Sequence, residues 1–374
     1  MYTSFEMRNF RCFPELTLSH LNRINLVTGV NNVGKTALLE GLFLHCGAYN
    51  PELTLRINAF RGVDSIKVER GKGAETPWDS LFTGFDVSKE IVLVGSELSS
   101  GNGAVRRRSV SLSVIRDQDQ VSTILVPLES TADESGKLLL TTKSAPQSSS
   151  SVDIVLKLEH REEKDRVGEY YMIVDAKGLH TTPLPPPPPF PAFFLTPRSR
   201  IPLQEGAERL GRLEIAGEQD IVVKGLRVIE PNLRRLTVVV TGGTPVIHAD
   251  LGMGRLVPLP FVGEGMMRIA DLVLAIGNAR GGVVLVDEIE NGLHYSALYK
   301  LWQVLADVSS QFNTQIFATT HSRECIEAAH RAFADRRTYE FALHRLERFH
   351  TGVRVVTYDQ ESIEGALETG LEVR

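Results

Sequence analysis

Cysteine is scarce and scattered. Cys12, Cys46 and Cys325 are the three in 374 residues, and no two form a C-x-x-C pair. That spacing does not read as a disulfide framework or a zinc site, and it suits a reducing cytosol. Long apolar runs are missing too: none approaches the roughly 20 residues of a membrane helix, and the opening MYTSFEMRNF is no signal peptide. A soluble, cytoplasmic protein with no membrane partner is expected. There is no large charge of one sign. Formal net charge is −5, so nothing global points to nucleic acid, although a local basic groove is compatible with it. No internal repeat and no heptad stretch is visible. Nor is there an N-K-x-D-like base-reading motif, which argues against a GTPase. Composition is otherwise that of a globular protein, 42% hydrophobic and 23% charged. The length fits one large or two modest domains.

Against that plain background one string is specific. Residues 29–36 read Gly29-Val30-Asn31-Asn32-Val33-Gly34-Lys35-Thr36, a complete G-x-x-x-x-G-K-[ST] phosphate loop. The run Ile24–Val27 before it reads as a strand, and Lys35 to about Cys46 as a helix. The chemistry needs this order. Glycines let backbone N–H groups turn inward around a triphosphate, and the helix points its positive end at the same anion. Lys35 reaches the β- and γ-phosphates, and the Thr36 hydroxyl is a Mg²⁺ ligand. ATP and Mg²⁺ are therefore the expected cofactors.

A second string completes the site. Val283-Val284-Leu285-Val286-Asp287-Glu288 is an apolar strand ending in two carboxylates, the pattern of a buried parallel strand that delivers acids at its C-terminal edge. This Walker B reading gives the metal to Asp287 and the attacking water to Glu288. Residues 314–321, Thr-Gln-Ile-Phe-Ala-Thr-Thr-His, form another apolar run ending in polar groups, and His321 falls where it could reach a γ-phosphate. Lys35, Glu288 and His321 are the candidate catalytic set. Leu298, Leu301, Trp302, Leu305 and Val308 recur at helical spacing and read as core.

Spacing separates ATPase classes. Lys35 and Asp287 are 252 residues apart (287 − 35), far more than in a compact AAA+ module or small GTPase. Between them, residues 62–180 hold β-rich runs: Ile91–Val94, Val110–Ile115, Val121–Val126, Val152–Leu158 and Tyr170–Val174. Turn signals at Gly101-Asn102-Gly103 and Asp133–Gly136 separate them, and Ser148–Ser151 is a low-complexity tract. An antiparallel insertion or arm is expected there. Residues 181–260 then return to the core through Pro185–Pro189, five prolines that must run extended. These could bind a partner's aromatic groove, but a stiff crossover is the plainer reading. Phe193–Leu195 reads as a buried strand and Leu203–Leu213 as a helix. From 261 to 374 helix and strand alternate, the sign of an α/β layer. Arg106–Arg108 and Arg234-Arg235 are the basic clusters. Phosphate contact is possible for the first, a solvated strand end is the plainer reading, and no aromatic interleaving supports single-strand stacking.

The chain resembles the SMC/RecF/OLD-like group of ABC ATPases. It looks most like stand-alone bacterial "AAA family" ATP-binding proteins, several of which work in phage defence. The resemblance rests on Asn9–Phe13, GVNNVGKT, Gly263–Arg268, LVDEIENGLH at 285–294 and ATTHSRECI at 318–326. It covers residues 1–60 and about 255–374. It implies a two-lobed ABC-type head whose first lobe begins in 1–61. It implies nucleotide contacts from Arg11, Gly29, Asn31, Asn32, Val33, Gly34, Lys35, Thr36 and Ala37. From the opposite protomer it implies the signature loop Gly263, Glu264 and Gly265, with Asn291 and Gly292 in the segment that crosses the dimer interface. Family signatures often begin with Ser; Gly263 stands in that place and removes a hydroxyl ligand to the γ-phosphate. The position of the usual Q-loop glutamine holds Thr196-Pro197-Arg198. The resemblance implies an ATP-dependent homodimer or higher homo-oligomer that gates a separate effector, with a RecF-like DNA clamp as the alternative. No second catalytic centre is read: Asp117-Gln118-Asp119 has the spacing of a Toprim metal motif but no α/β pattern around it.

Overall fold

The computed structural model describes residues 1–63, 75–98, 105–115, 129–132, 138–141, 154–162, 166–175, 178–197, 201–350 and 352–369. The Val121–Val126 run, the Gly101–Gly103 and Asp133–Gly136 turns, Asp117–Asp119, Ser148–Ser151 and Arg198 lie outside them.

Chain order is β1 (Tyr2–Phe10), β2 (Phe13–Leu18), β3 (Ile24–Thr28), α1 (Lys35–Cys46), α2 (Leu53–Phe60), β4 (Ile91–Leu98), β5 (Val105–Ile115), β6 (Glu129–Ala132), β7 (Leu138–Thr141), β8 (Ile154–Glu162), β9 (Arg166–Asp175), β10 (Gly178–Thr182) and β11 (Ala192–Leu195). Then come α3 (Leu203–Ile215), α4 (Gln219–Arg227), β12 (Arg235–Thr241), β13 (Thr244–Asp250), β14 (Leu256–Pro258), α5 (Glu264–Asn278), β15 (Val283–Val286), α6 (Tyr295–Phe312), β16 (Gln315–Thr319), α7 (Arg323–Ala334), β17 (Phe341–Phe349), β18 (Gly352–Tyr358) and α8 (Gln360–Glu368).

Two large sheets share one helix. The first is antiparallel, in the order β10-β9-β8-β5-β4-β1-β2. The second runs β11-β15-β16-β3-β17-β18 and is parallel except for β18. Its central strands read INLVT, VVLV and QIFAT and are buried throughout, as a sheet covered on both faces requires. Alternation along each strand sorts the faces. Val27, Val283, Leu285 and Phe317 join the core around α1 and the antiparallel sheet. Ile24, Leu26, Val284, Val286, Ile316 and Ala318 join the core under α3 to α8. Helix α1 is therefore buried all round, with 11 of its 12 residues buried, and its sequence is mostly apolar, as befits a helix with no solvent face. A small sheet, β12-β13-β14, packs on α3, and β6 pairs with β7 alone.

The fold class is the expected one: a mixed α/β molecule with a β-rich insertion between the phosphate loop and the acid strand. One part of that expectation needs refining. Among the described residues, five of the insertion's strands do not stand off as an arm. β4, β5, β8, β9 and β10 extend the β1–β2 hairpin into a single sheet. Ile91, Leu93, Val110, Leu112, Leu156 and Leu158 lie in the core beneath α1. The prolines at 185–189 carry no secondary structure. They lead from β10, the edge of one sheet, to β11, the edge of the other, so they make the crossover.

The arginine clusters are tied internally. Arg108 is buried, donates to Glu97 at 2.7 Å and to the Tyr2 hydroxyl at 3.0 Å, and lies over Phe190. It is not the solvated strand end expected. Arg107 reaches Glu6 and Arg235 reaches Asp250.

Candidate nucleotide site

Register brings the motifs to one edge. Val286 pairs with Ala318, and Thr319 with Val27. Asp287, the segment after Thr319, and the phosphate loop therefore leave the sheet side by side. They border a cleft of about 1080 Å³ lined by Asn31, Asn32, Gly34, Lys35, Thr36, Ala37, Asp287, Glu288 and His321 among others. At the head of α1 only glycine fits: Gly34 has φ +111, and a Cβ there would lie 2.4 Å from Phe13 Cζ.

The Thr36 hydroxyl donates to Asp287 Oδ2 at 2.9 Å. Thr319 donates to Asp287 Oδ1 at 2.6 Å and accepts the Glu288 N–H at 2.8 Å. One threonine thus fixes both acids. Glu288 holds φ +48, a left-handed conformation rare for its type. The Ile289 N–H bond to Thr319 O and the Asn291 N–H bond to Glu288 O help impose it. The Glu288 carboxylate faces the cleft, 3.8 Å from His321 Nε2. The His321 N–H is held by Glu290 Oε1 at 2.8 Å. Lys35 turns back on the loop, donating to Gly29 O at 2.6 Å and Val30 O at 3.1 Å. Burial lowers its pKa, and the carboxylates of Asp287, Glu288 and Glu290 oppose that shift. A hydroxyl and a carboxylate side by side are hard oxygen donors that suit Mg²⁺. Such a pair of protein donors leaves the remaining ligands of the ion to phosphates and water.

The other expected residues fall in three places. Arg11 lines the cleft, but its guanidinium is bonded to Glu40 at 3.0 Å, Asn58 at 2.9 Å and Ser80 at 3.1 Å. Gly29 and Val33 are not among the cleft's lining residues, and the Val33 side chain is buried in the core. Gly263, Glu264 and Gly265 do not line their own chain's cleft; Glu264 and Gly265 lie beside Gly292 and Leu293, and Asn291 is exposed next to Gly292. Thr196 and Pro197 line the cleft.

Comparison with known proteins agrees with this geometry. Residues 24–327 match the family model described as "AAA domain, putative AbiEii toxin, Type IV TA system". The chain belongs to this family. As a member of this AAA family with a complete phosphate loop facing paired carboxylates, it is an ATPase. A relative, the "ATP/GTP phosphatase" of Helicobacter pylori, is 23% identical over 348 residues, covering 87% of each chain. Similar solved structures include an SMC head bound to the C-winged helix domain of ScpA (10% identity, 98% of this chain and 99% of that one, TM-score 0.48). The SMC head domain from Thermotoga maritima is another (10% identity, 96% and 99%, TM-score 0.41). No helix among the described residues is long and apolar enough to cross a membrane.

Sequence reading missed four parts of this AAA-family site. Thr319, Glu290 and Arg268 sit inside recognised strings, but nothing in a string says which side chain holds which backbone. Glu40, wholly buried on α1, binds Arg11 and also Arg61, at 2.5 Å. Arg268 of α5 donates to Asp287 O at 3.5 Å. Only the packing reveals these two.

Proposed function

We propose that this ATPase is a molecular switch in which hydrolysis resets a homodimer that gates a separate effector. The observation that carries the chemistry is the Thr36–Asp287 bond of 2.9 Å, joining residues 251 apart in sequence. Thr36 and Asp287 would hold Mg²⁺, which when bound neutralises charge on the β- and γ-phosphate oxygens. The Lys35 ammonium exchanges the Gly29 and Val30 carbonyls for phosphate oxygens. Glu288 accepts a hydrogen bond from the attacking water and aims it. His321, 3.8 Å from that carboxylate and on the same cleft, would contact the γ-phosphate of a bound nucleotide.

The switch reading is supported by the separation of the two halves of the site. Gly263–Gly265 and Asn291 share a surface that does not line their own cleft, as residues serving a partner's nucleotide would. A role in phage defence is part of this proposal; the family description names a "putative AbiEii toxin, Type IV TA system". A RecF-like DNA clamp finds less support, since Arg107, Arg108 and Arg235 pair with acids of the same chain.

Glu288→Gln tests the chemistry. It should keep ATP affinity and slow phosphate release by about 10²-fold or more, the scale of general-base loss. Equal release by the variant and the wild type would give the water to another residue.

A further inference from the structure

One part of the cleft is built neither from the phosphate loop nor from the acids. It is lined by Phe60, Arg61, Ser80, Phe82, Gly84 and Phe85. Phe60 packs on Phe194, with ring centroids 5.2 Å apart, and Phe82 is 1% exposed and part of the core. Phe85 is different: the residue is 68% exposed. Lone exposed apolar residues are common, and exposure alone says little. The backbone supplies a second observation. Phe85 holds φ +61 and follows Gly84 at φ +65. A bulky residue rarely adopts that conformation, and it persists only where the surroundings impose it.

The surroundings do so here. The Phe85 N–H donates to Phe82 O at 3.0 Å and the Arg11 N–H to Leu81 O at 2.6 Å. The Thr83 hydroxyl donates to Phe13 O at 3.0 Å. These bonds tie the hooked segment to the turn between β1 and β2. Cys12 and Phe13 of that turn press on Gly34. The exposed ring and the phosphate loop are thus fixed to the same turn, and both open on the same cleft.

We propose that Phe85 is the platform on which the base of the bound nucleotide stacks. This rests on the nucleotide reading above and extends it to the other end of the ligand. A nucleoside triphosphate anchored at Lys35 and Thr36 must lay its base within the cleft. A base has two flat apolar faces and gains by covering one of them. Among the cleft's phenylalanines, Phe85 is the ring left exposed. Arg61, held on the buried Glu40 at 2.5 Å, lines the same cleft and would offer a cation to a phosphate. A ring face is indifferent to the base edge, so ATP and GTP should depend on it equally.

Binding of ATP, GTP and inorganic tripolyphosphate to the full chain, in the presence of Mg²⁺, tests the proposal. Phe85→Ala should weaken ATP and GTP by one common factor, about 5- to 150-fold, the range for losing a base–aromatic stack. Tripolyphosphate, which has no base, should bind as before, and Phe85→Tyr should restore nucleotide affinity. Phe85→Trp gives an optical check, because Trp78 and Trp302 are wholly buried: its emission should respond to ATP and not to tripolyphosphate. An equal loss for ATP and tripolyphosphate would overturn the proposal, making the hook a support of the phosphate loop. Unchanged ATP affinity in Phe85→Ala would overturn it too. Lys35→Ala separates this from the underlying reading: if that variant binds ATP and tripolyphosphate like the wild type, the phosphate site itself is misassigned, whatever Phe85 does.

Discussion

His344 shows how one buried side chain sets a pH response. It lies on β17, beside the strand that feeds the phosphate loop, with its ring nitrogens 3.0 Å from Thr357 Oγ1 and 3.3 Å from Asn25 Oδ1. Burial lowers its pKa to about 4. The folded value lies below the ordinary one, so the native state prefers the neutral ring. The stability it contributes is present above about pH 6.5 and is lost as pH falls toward 4. The full shift is worth up to about 3 kcal/mol. Asp271, pushed up to about 6 by burial, acts oppositely over about pH 4 to 6. There stability falls as pH rises, because the native state holds the proton longer. A urea midpoint measured at pH 7 and at pH 5 should drop less for His344→Gln than for the wild type. An equal drop would move the acid sensitivity elsewhere. Residues such as His344 were not legible in the sequence: its partners are 319 and 13 positions away. That Lys35, Thr36, Asp287 and Glu288 meet at one cleft was legible, because each has a fixed place relative to a strand or a helix.

At the scale of elements, legibility followed periodicity. Helix α1 was read over Lys35–Cys46, and it spans those residues. The apolar strands β3, β15 and β16 were also read correctly, since unbroken apolar runs of that length suit few other environments. The β-rich stretch was recognised but its attachment was not. Alternating strands say that a sheet exists, not which edge it extends. The difference matters for experiments. Replacing residues 101–160 by a short turn would remove β5 and most of β8 from the middle of the antiparallel sheet, and with them Val110, Leu112, Leu156 and Leu158 from the core. A gentler excision respects the register. Ile115 faces Val155, so residues 117–152 can be replaced by a short Gly-Asn-Gly turn. That variant should fold and hydrolyse ATP at the wild-type rate. A lost ATPase would show that the excised stretch supports the head itself.

The whole molecule is a question of two copies. If Gly263–Gly265 completes a partner's site, ATP should bring two chains together, and Glu288→Gln should hold them there. Gly265 offers a way to block this. A Cβ at that position would meet Leu293 Cδ2 at 3.5 Å and Gly292 O at 3.7 Å. An indole there would stand out between the signature loop and the turn after the acid strand. Gly265→Trp should keep ATP bound at its own Lys35 and remain monomeric by light scattering. Full ATPase activity in that variant would mean that hydrolysis needs no second chain.

The shared helix has a mechanical consequence. Helix α1 begins at the phosphate loop, and Leu38, Leu39 and Leu42 lie in one core with Met7 and Phe10 of β1 and Leu285 and Phe317 of the parallel sheet. A rod gripped on every side has no slack, and close-packed interiors transmit displacement without absorbing it. A nucleotide that draws the head of α1 by a fraction of an ångström must therefore shift the antiparallel sheet against the parallel one. The outer sheet, which takes no part in the chemistry, is geared to it.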